Sequence, residues 1–527
     1  MRYKISAFIA AALISAVPAL AQDLNPQVQV TNDYKAEFGK ASKQSVPLEI
    51  PDSLNSFRTS VSYNVFATPY KGSYEFVPYE ISVTPQKPAS DFSVFSMKAG
   101  AGYGLRPVLK MAWTPIHNGN SLTVFNDFSG YIGDFTTLDS RASYKGYDLS
   151  EKIGLEGRWV SSDFTLSYGA DYQGIFNKDF AGKLDFNNFT LRGGIRSDSD
   201  AKIVYNLDVE LNQAYDSMVS QTGIMARGGF FPNWMLPFTL RVDFDIESDF
   251  YGRGGYGNVF VGQVSAKALF DWDPIKLSAG VNLSPANDLQ WIFPDVHVTA
   301  DLFDKTTQAY AFVKGGQYVR SYTDFKIGEH WFNPAYINTL RPTMERLNAG
   351  LGVRGIAFKN LQYDLRGGWA SYADASLNYW KPSAADPSYM DYGFTYADFN
   401  NWYVDTDIHW KSSRLDIDMN LGYRQSNIVN NDNYLDLPMF SGAVSVMYNW
   451  NSRIYAGLSA RGMTERAGRS NSIPGFIDLG LNGQYKFGRN FAVWAHVGNL
   501  LNGDITLSPL HMEKGIYFQA GITLNLR

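Results

Sequence analysis

Residues 414–424 alternate without a break: Leu415, Ile417, Met419, Leu421 and Tyr423 fall on one face, and Arg414, Asp416, Asp418, Asn420, Gly422 and Arg424 on the other. A period of two sends successive side chains to opposite faces of an extended chain, so this segment predicts a strand with one oily and one wet face. The same reading fits residues 238–247, where Phe238, Leu240, Val242, Phe244 and Ile246 alternate with Thr239, Arg241, Asp243, Asp245 and Glu247. It recurs at 189–196, 203–212, 402–410, 477–487 and 520–527. Charged wet faces on several strands of one sheet require a water-filled interior. A soluble β-sandwich with its polar face outside shows the same alternation, which therefore does not choose between sandwich and membrane barrel.

Connection length does choose. From Phe92 onward the chain offers about 22 candidate strands, an even number as a bacterial single-chain barrel requires. They begin near Ser93, Val108, Ser121, Tyr147, Phe164, Asn188, Lys202, Gln221, Phe238, Asn258, Lys276, Pro294, Ala309, Leu347, Leu361, Trp402, Arg414, Ser441, Ile454, Pro474, Phe491 and Gly515. Turns after even-numbered strands are mostly short: 161–163, 198–200, 271–274, 358–360, 411–413, 451–453 and 488–490. Those after odd-numbered strands are mostly long: 128–147, 176–187, 248–257, 284–293, 321–346, 374–401, 427–438, 464–472 and 503–514, the short 104–107 being one exception. This two-ended pattern predicts an all-β fold, a transmembrane antiparallel β-barrel with short periplasmic turns and long external loops. Aromatic residues near strand ends, among them Trp113, Trp159, Trp234, Trp272, Trp380, Trp402, Trp410, Tyr448 and Trp450, suit interfacial girdles, and ordinary sheet packing is the alternative.

The N-terminus sets the compartment. Arg2 and Lys4 precede a largely apolar stretch, residues 5–20, and Ala19-Leu20-Ala21 offers a cleavage site, so residues 1–21 read as a signal peptide. No later segment reaches the roughly 18 to 20 consecutive apolar residues of a spanning helix. With no cysteine in the chain, disulfides, thiolate metal sites and lipid-anchored cysteines are excluded, and a net charge of −5 supplies no basic face for nucleic acid.

Residues 22–91 differ from the rest. Seven prolines punctuate them (Pro26, Pro47, Pro51, Pro69, Pro78, Pro85 and Pro88), residues 34–43 suit a helical turn or two, and 57–66 and 74–84 are strand-like. This N-terminal segment is expected in the lumen or at the periplasmic rim, ahead of a barrel over 92–527. A wall of this size encloses a lumen that needs closing. Partial filling by the segment and inward-folded loops is the favoured expectation, and a second chain is the alternative.

The C-terminal runs 491–502 (FAVWAHVGNLLN) and 515–527 (GIYFQAGITLNLR) resemble the last two strands of TonB-dependent receptor barrels, in which an Asn-Leu-Leu-Asn type turn precedes the closing strand. Together with residues 70–76 (YKGSYEF), the pattern also resembles plugless relatives of those receptors in Bacteroidota. The resemblance implies an outer-membrane location. Two departures stand out: the absence of a recognisable plug domain or TonB box, and Arg527 where the family ends in an aromatic residue.

Candidate chemistry is sparse. Asp405, Asp407 and His409 share the inner face of one strand, with Asp416 and Asp418 on the next; an acid–base site is one reading, a solvated wall of paired charges the favoured one. The histidines His117, His297, His330, His409, His496 and His511 show no metal-ligand spacing. Asn430, Asn431, Asp432 and Asn433, with Asp436, suit a polar turn more than a calcium loop. Loops 329–346 and 377–401 combine Trp331, Phe332, Tyr336, Tyr379, Trp380, Tyr389, Tyr392 and Tyr396 with amides; sugar or peptide binding and loop packing remain equal alternatives. No catalytic residue, cofactor or metal is expected. The expected role is solute passage across the outer membrane, and the alternative is a non-conducting structural or assembly subunit. Expected partners are outer-membrane lipid and lipopolysaccharide, a small solute of unknown identity, and periplasmic or outer-membrane proteins.

Overall fold

The computed structural model describes residues 93–526, except 117–118, 139–140, 142, 179–181, 199–200, 233–237, 254–255, 285–291, 304, 333–338, 359, 383–389, 429–434, 436, 469–471 and 510. The expected signal peptide and residues 22–91 lie outside them, as do His117, Trp234, Tyr336, Tyr389, the 430–433 amide run and Asp436.

The described chain forms a closed antiparallel barrel of 22 wall strands. Consecutive wall strands pair side by side, and the last, Tyr517–Leu526, closes on the first, Phe95–Tyr103, in a register running from Phe95↔Leu526 to Tyr103↔Phe518. Closure leaves the wall no free edge, as hydrocarbon demands. Every strand expected from the sequence meets one wall strand, and all begin within about five residues of expectation except one.

That exception is a correction. The stretch 374–401, expected as a loop, is mostly strand: Leu361–Pro382 and Met390–Lys411 form one long hairpin, each strand 22 residues. A bulge shifts the register between Tyr372 and Ala375, with Asp374 in the left-handed region at φ 48°. Phe399 just before it and Ala375 and Leu377 beyond it are buried against protein, so the oily-and-wet alternation that marks a lipid-facing strand is lost while the pairing continues. Other expected loops also carry structure. The wall strands Ser121–Thr136 and Ser143–Val160 take most of 128–147, Phe164–Lys178 and Lys183–Ser197 take most of 176–187, and Thr239–Arg253 takes the first part of 248–257, because these strands run on past the lipid-facing alternation. The loop 321–346 contains the helix Tyr322–Gly328, 464–472 contains the strand Arg466–Ala467, paired with Ser472–Ile473, and 503–514 contains the pair Ile505–Ser508 and His511–Glu513.

The outer face is an apolar belt, exemplified by Ile203, Leu207, Leu211, Leu365, Val404 and Leu421, all exposed. Trp402 and Trp410 face outward at its two margins. Eight residues separate them, about 26 Å along the strand at roughly 3.3 Å per residue, or about 20 Å along the membrane normal at a tilt of about 40°, most of a hydrocarbon band about 25 Å tall. Trp159, Trp272 and Trp450 mark the same margin as Trp410 at the short-turn end. The inner face is a ladder of cross-strand ion pairs. Lys267 bridges Asp243 at 3.5 Å and Asp295 at 2.7 Å, Arg227 meets Asp245 at 3.0 Å, and Arg461 meets Asp478 at 3.0 Å.

Candidate functional site: the external mouth

The longest external connection joins the strands Thr307–Tyr318 and Thr343–Ala357, the thirteenth and fourteenth of the wall. Ser321 starts its helix with a capping box: its hydroxyl accepts from the Asp324 N–H at 3.2 Å, and the Asp324 carboxylate accepts from the Ser321 N–H at 3.1 Å. Two orphan donors at the helix start are thereby satisfied. A helix this short is marginal alone, and tertiary packing holds it. Tyr322 and Phe325 enter a buried cluster with Ile175, Phe186, Ala214, Val219, Tyr256 and Phe394. Phe325 lies 4.5 Å from Phe394 and 5.3 Å from Phe332, ring centre to ring centre.

Polar contacts pin the same segment. The Tyr322 hydroxyl donates to the Asp216 carboxylate. The Thr323 N–H and hydroxyl both donate to Gln221 Oε1 at 3.0 Å, and Gln221 in turn donates to Asp249 at 2.6 Å. Lys326, only 1% exposed, donates to the carbonyls of His330 at 3.0 Å and Phe332 at 2.9 Å and so fixes the turn that follows the helix. Asn177 donates to the His330 carbonyl at 2.7 Å, and His330 Nδ1 meets Asp148 at 2.9 Å. Trp331 packs edge-on against Phe135 and flat against His511.

These contacts define a path. The connection leaves the wall between strands thirteen and fourteen, while Phe135 and Asp148 belong to strands three and four, Ser121–Thr136 and Ser143–Val160. Ten steps around a ring of 22 is almost a half turn, so the segment spans the mouth from one side to nearly the other. We call it the crossing loop.

Its ionisable groups are perturbed by that burial. Desolvation pulls the His330 imidazole down, but the hydrogen-bonded Asp148 carboxylate outweighs it and the net direction is up. Burial raises the Glu329 carboxyl, opposed by Arg466. His511, buried beside Lys326, is pushed well below the ordinary histidine range. Both His511 ring nitrogens are buried without a hydrogen-bond partner among the described residues, which suits a neutral ring used for stacking.

The residues singled out from sequence fall into two groups. In the lumen, Asp405 lies between Arg366 at 3.2 Å and Arg424 at 2.8 Å, Asp407 accepts from Asn420, His409 meets Asp418 at 2.5 Å, and Lys411 approaches Asp416 at 3.9 Å. The row of carboxylates is divided among arginine, lysine, an imidazole and an amide, the arrangement of a solvated wall of paired polar groups. One ligand atom from each of His409, Asp416 and Asp418 lies within 4.8 Å of the others, close enough to share one cation, although each group already has the protein partner just given or, for Asp416, Lys411. His297 stacks on Tyr310, and His496 bonds Asn482 at 2.7 Å. The second group is aromatic. Trp331 and Phe332 belong to the crossing loop, Trp380 packs on Leu435 and Ile473, and the Tyr396 hydroxyl accepts from the Arg341 N–H at 3.0 Å. These rings serve loop-to-loop packing. Asp148, Asp216 and Gln221 were not singled out from sequence; His330 and Asp148 are 182 positions apart, and no local pattern links them.

No protein-family model and no curated protein sequence matches this chain. Solved structures do. The copper transporter OprC superposes with a TM-score of 0.61 at 14% identity, covering 82% of this chain and 80% of that one. The siderophore receptor PirA from Acinetobacter baumannii gives 0.58 at 11% identity, covering 82% and 80%. The FrpB iron transporter from Neisseria meningitidis gives 0.58 at 9% identity, covering 82% and 81%. The fold is that of the TonB-dependent receptor barrels. At such identities the likeness concerns the fold alone.

Proposed function

We propose that this chain is an outer-membrane barrel that passes a small solute through its charged lumen, and that the crossing loop controls entry from the external side. The observation that carries the reading is the span of that loop from strands thirteen and fourteen to strands three and four, held by a buried aromatic cluster and by polar contacts to Asp148, Asn177, Asp216 and Gln221. A paired but solvated inner wall suits a polar permeant, because water and counter-charges are present along the whole path. The apolar belt with its indole margins supports residence in a bilayer, and the likeness to outer-membrane receptors and transporters supports the outer membrane.

Planar-bilayer conductance tests the proposal. The full mature chain is compared with a variant in which residues 323–338 are replaced by a short glycine-serine linker, and with chains lacking residues 22–91. Low conductance in the intact protein and a large open conductance once the crossing loop is removed support a gated pore. If only loss of residues 22–91 opens it, that segment is the closure. Silence in every form overturns solute passage and leaves the non-conducting structural role.

A further inference from the structure

On the outward face, four neighbouring strands grade from aliphatic to indole to amide within three rows. The strands are Thr343–Ala357, Leu361–Pro382, Met390–Lys411 and Leu415–Ile428. The lowest row, in register, is Leu351, Gly367, Val404 and Tyr423; the next is Ala349, Trp369, Trp402 and Gln425; the third places Ser371, Asn400 and Asn427 side by side. Leu351 and Trp402 stand 68% and 60% exposed. Between Leu351 and Val404, Gly367 contributes no side chain, and a Cβ there would meet nothing nearer than 3.4 Å, which leaves a dent in the belt. Directly above, the two indoles and the amides of Asn400, Gln425 and Asn427 border a cleft of about 480 Å³.

The chemistry of the cleft is specific. Asn400 and Asn427 have side-chain amides with no partner among the described residues. Asp398, the next outward position above Asn400, is paired with Arg346 at 3.0 Å, so the cleft rim carries little net charge. Indole faces pack well on the apolar faces of sugar rings, and amides both donate to and accept from hydroxyls. A phosphate would instead call for unpaired Arg or Lys.

We propose that this cleft docks the headgroup of a membrane glycolipid through an uncharged sugar, with one acyl chain of the same molecule lying in the dent at Gly367. The cleft is continuous with the lipid-facing belt, and that continuity selects a tethered sugar over a free one. A headgroup anchored in the leaflet is already held at high effective concentration.

The test uses the full mature chain in nanodiscs of phosphatidylethanolamine doped with monoglucosyl diacylglycerol, followed by intact-complex mass spectrometry of the retained lipids. The expected result is one retained glycolipid. Retention should fall about tenfold, equivalent to about 1.4 kcal/mol, in the double variant Trp402→Leu with Asn400→Leu. It should be kept by Trp402→Phe, which preserves a stacking ring, and by Trp410→Leu at the opposite margin of the belt. Circular dichroism verifies that each variant is folded, and Asn427→Leu alone replaces the double variant if that one is not. Equal retention of phosphatidylglycerol with the same chains would reduce the site to ordinary annular lipid and overturn the proposal. Displacement by free maltose overturns it in favour of a soluble-sugar site, and undiminished retention in the folded variants overturns it outright.

Discussion

The indole of Trp331 lies flat on the imidazole of His511, with ring centres 3.5 Å apart and planes 14° from parallel. This contact ties the tip of the crossing loop to the last external loop, on the far side of the mouth from the loop's root. Truncating a buried tryptophan costs about 3–5 kcal/mol, far more than the roughly 0.5–1.5 kcal/mol of the stacking itself. Trp331→Ala is therefore expected to release the tip while leaving the barrel folded. Limited proteolysis should cut the crossing loop faster, and open-channel events should become more frequent. His511→Phe, which keeps a flat ring there, should resemble the parent in both measurements at neutral pH.

The two histidines at the tip respond to pH with opposite signs. His330 has its proton affinity raised in the closed loop, so its contribution to closure is complete below the ordinary histidine range and is lost as pH rises through the raised value. His511 has its affinity lowered by burial and by Lys326, so closure is penalised as pH falls below the ordinary range. Each tenfold preference is worth about 1.4 kcal/mol. Closure should be tightest near the ordinary histidine pKa of about 6.5 and conductance should rise on both sides. His330→Gln should flatten the alkaline limb alone, and His511→Phe the acid limb alone. All three proteins are compared in a Glu329→Gln background, because the Glu329 carboxyl is itself pulled down by His330 and would otherwise change with it. An alkaline limb that survives in His330→Gln would remove His330 from the latch.

How much of this was legible in the sequence depends on where a segment sits relative to the lipid. Within the belt, Ile417, Met419 and Leu421 face hydrocarbon while Asp418 and Asn420 face water, so a period of two is forced on the residues themselves. Above the belt both faces of a strand meet protein or water, and the hairpin carrying Ala375, Leu377 and Phe399 loses the alternation that marks a strand in the sequence. The paired wall around Asp405 was readable because charges on adjacent wet faces need partners. The crossing loop was not, since its meaning lies in contacts such as Tyr322 with Asp216 and Thr323 with Gln221, 106 and 102 positions apart. Its aromatic content was visible; its destination was not.

Asp405 separates Arg366 from Arg424 on the inner wall and is mostly buried between them. Asp405→Asn retains the shape but leaves both guanidinium groups without a carboxylate. A loss of about 1–3 kcal/mol is expected from the uncompensated groups, with a shift of ion selectivity toward anions. Reversal potentials across a salt gradient, measured on the variant opened by removal of the crossing loop, read the selectivity directly. The double variant Asp407→Asn with His409→Gln should change selectivity modestly; loss of any hydrolytic activity would instead revive an acid–base role for that row.

The belt itself is testable through its middle row. Val353, Leu365, Thr406 and Leu421 stand in register, and Thr406 lies midway between Trp402 and Trp410 along its strand, which places Leu365 at the centre of the hydrocarbon. An arginine there must carry its charge to the bilayer midplane, at a cost of about 2–4 kcal/mol, whereas near an interface the cost falls to about 0–1 kcal/mol. Leu365→Arg should therefore destabilise the barrel strongly, and Leu415→Arg, below the Trp410 row, should not. Denaturant unfolding in lipid vesicles measures both. Equal small effects would mean that water reaches the Leu365 row, and the membrane-facing side of the wall would have to be reassigned.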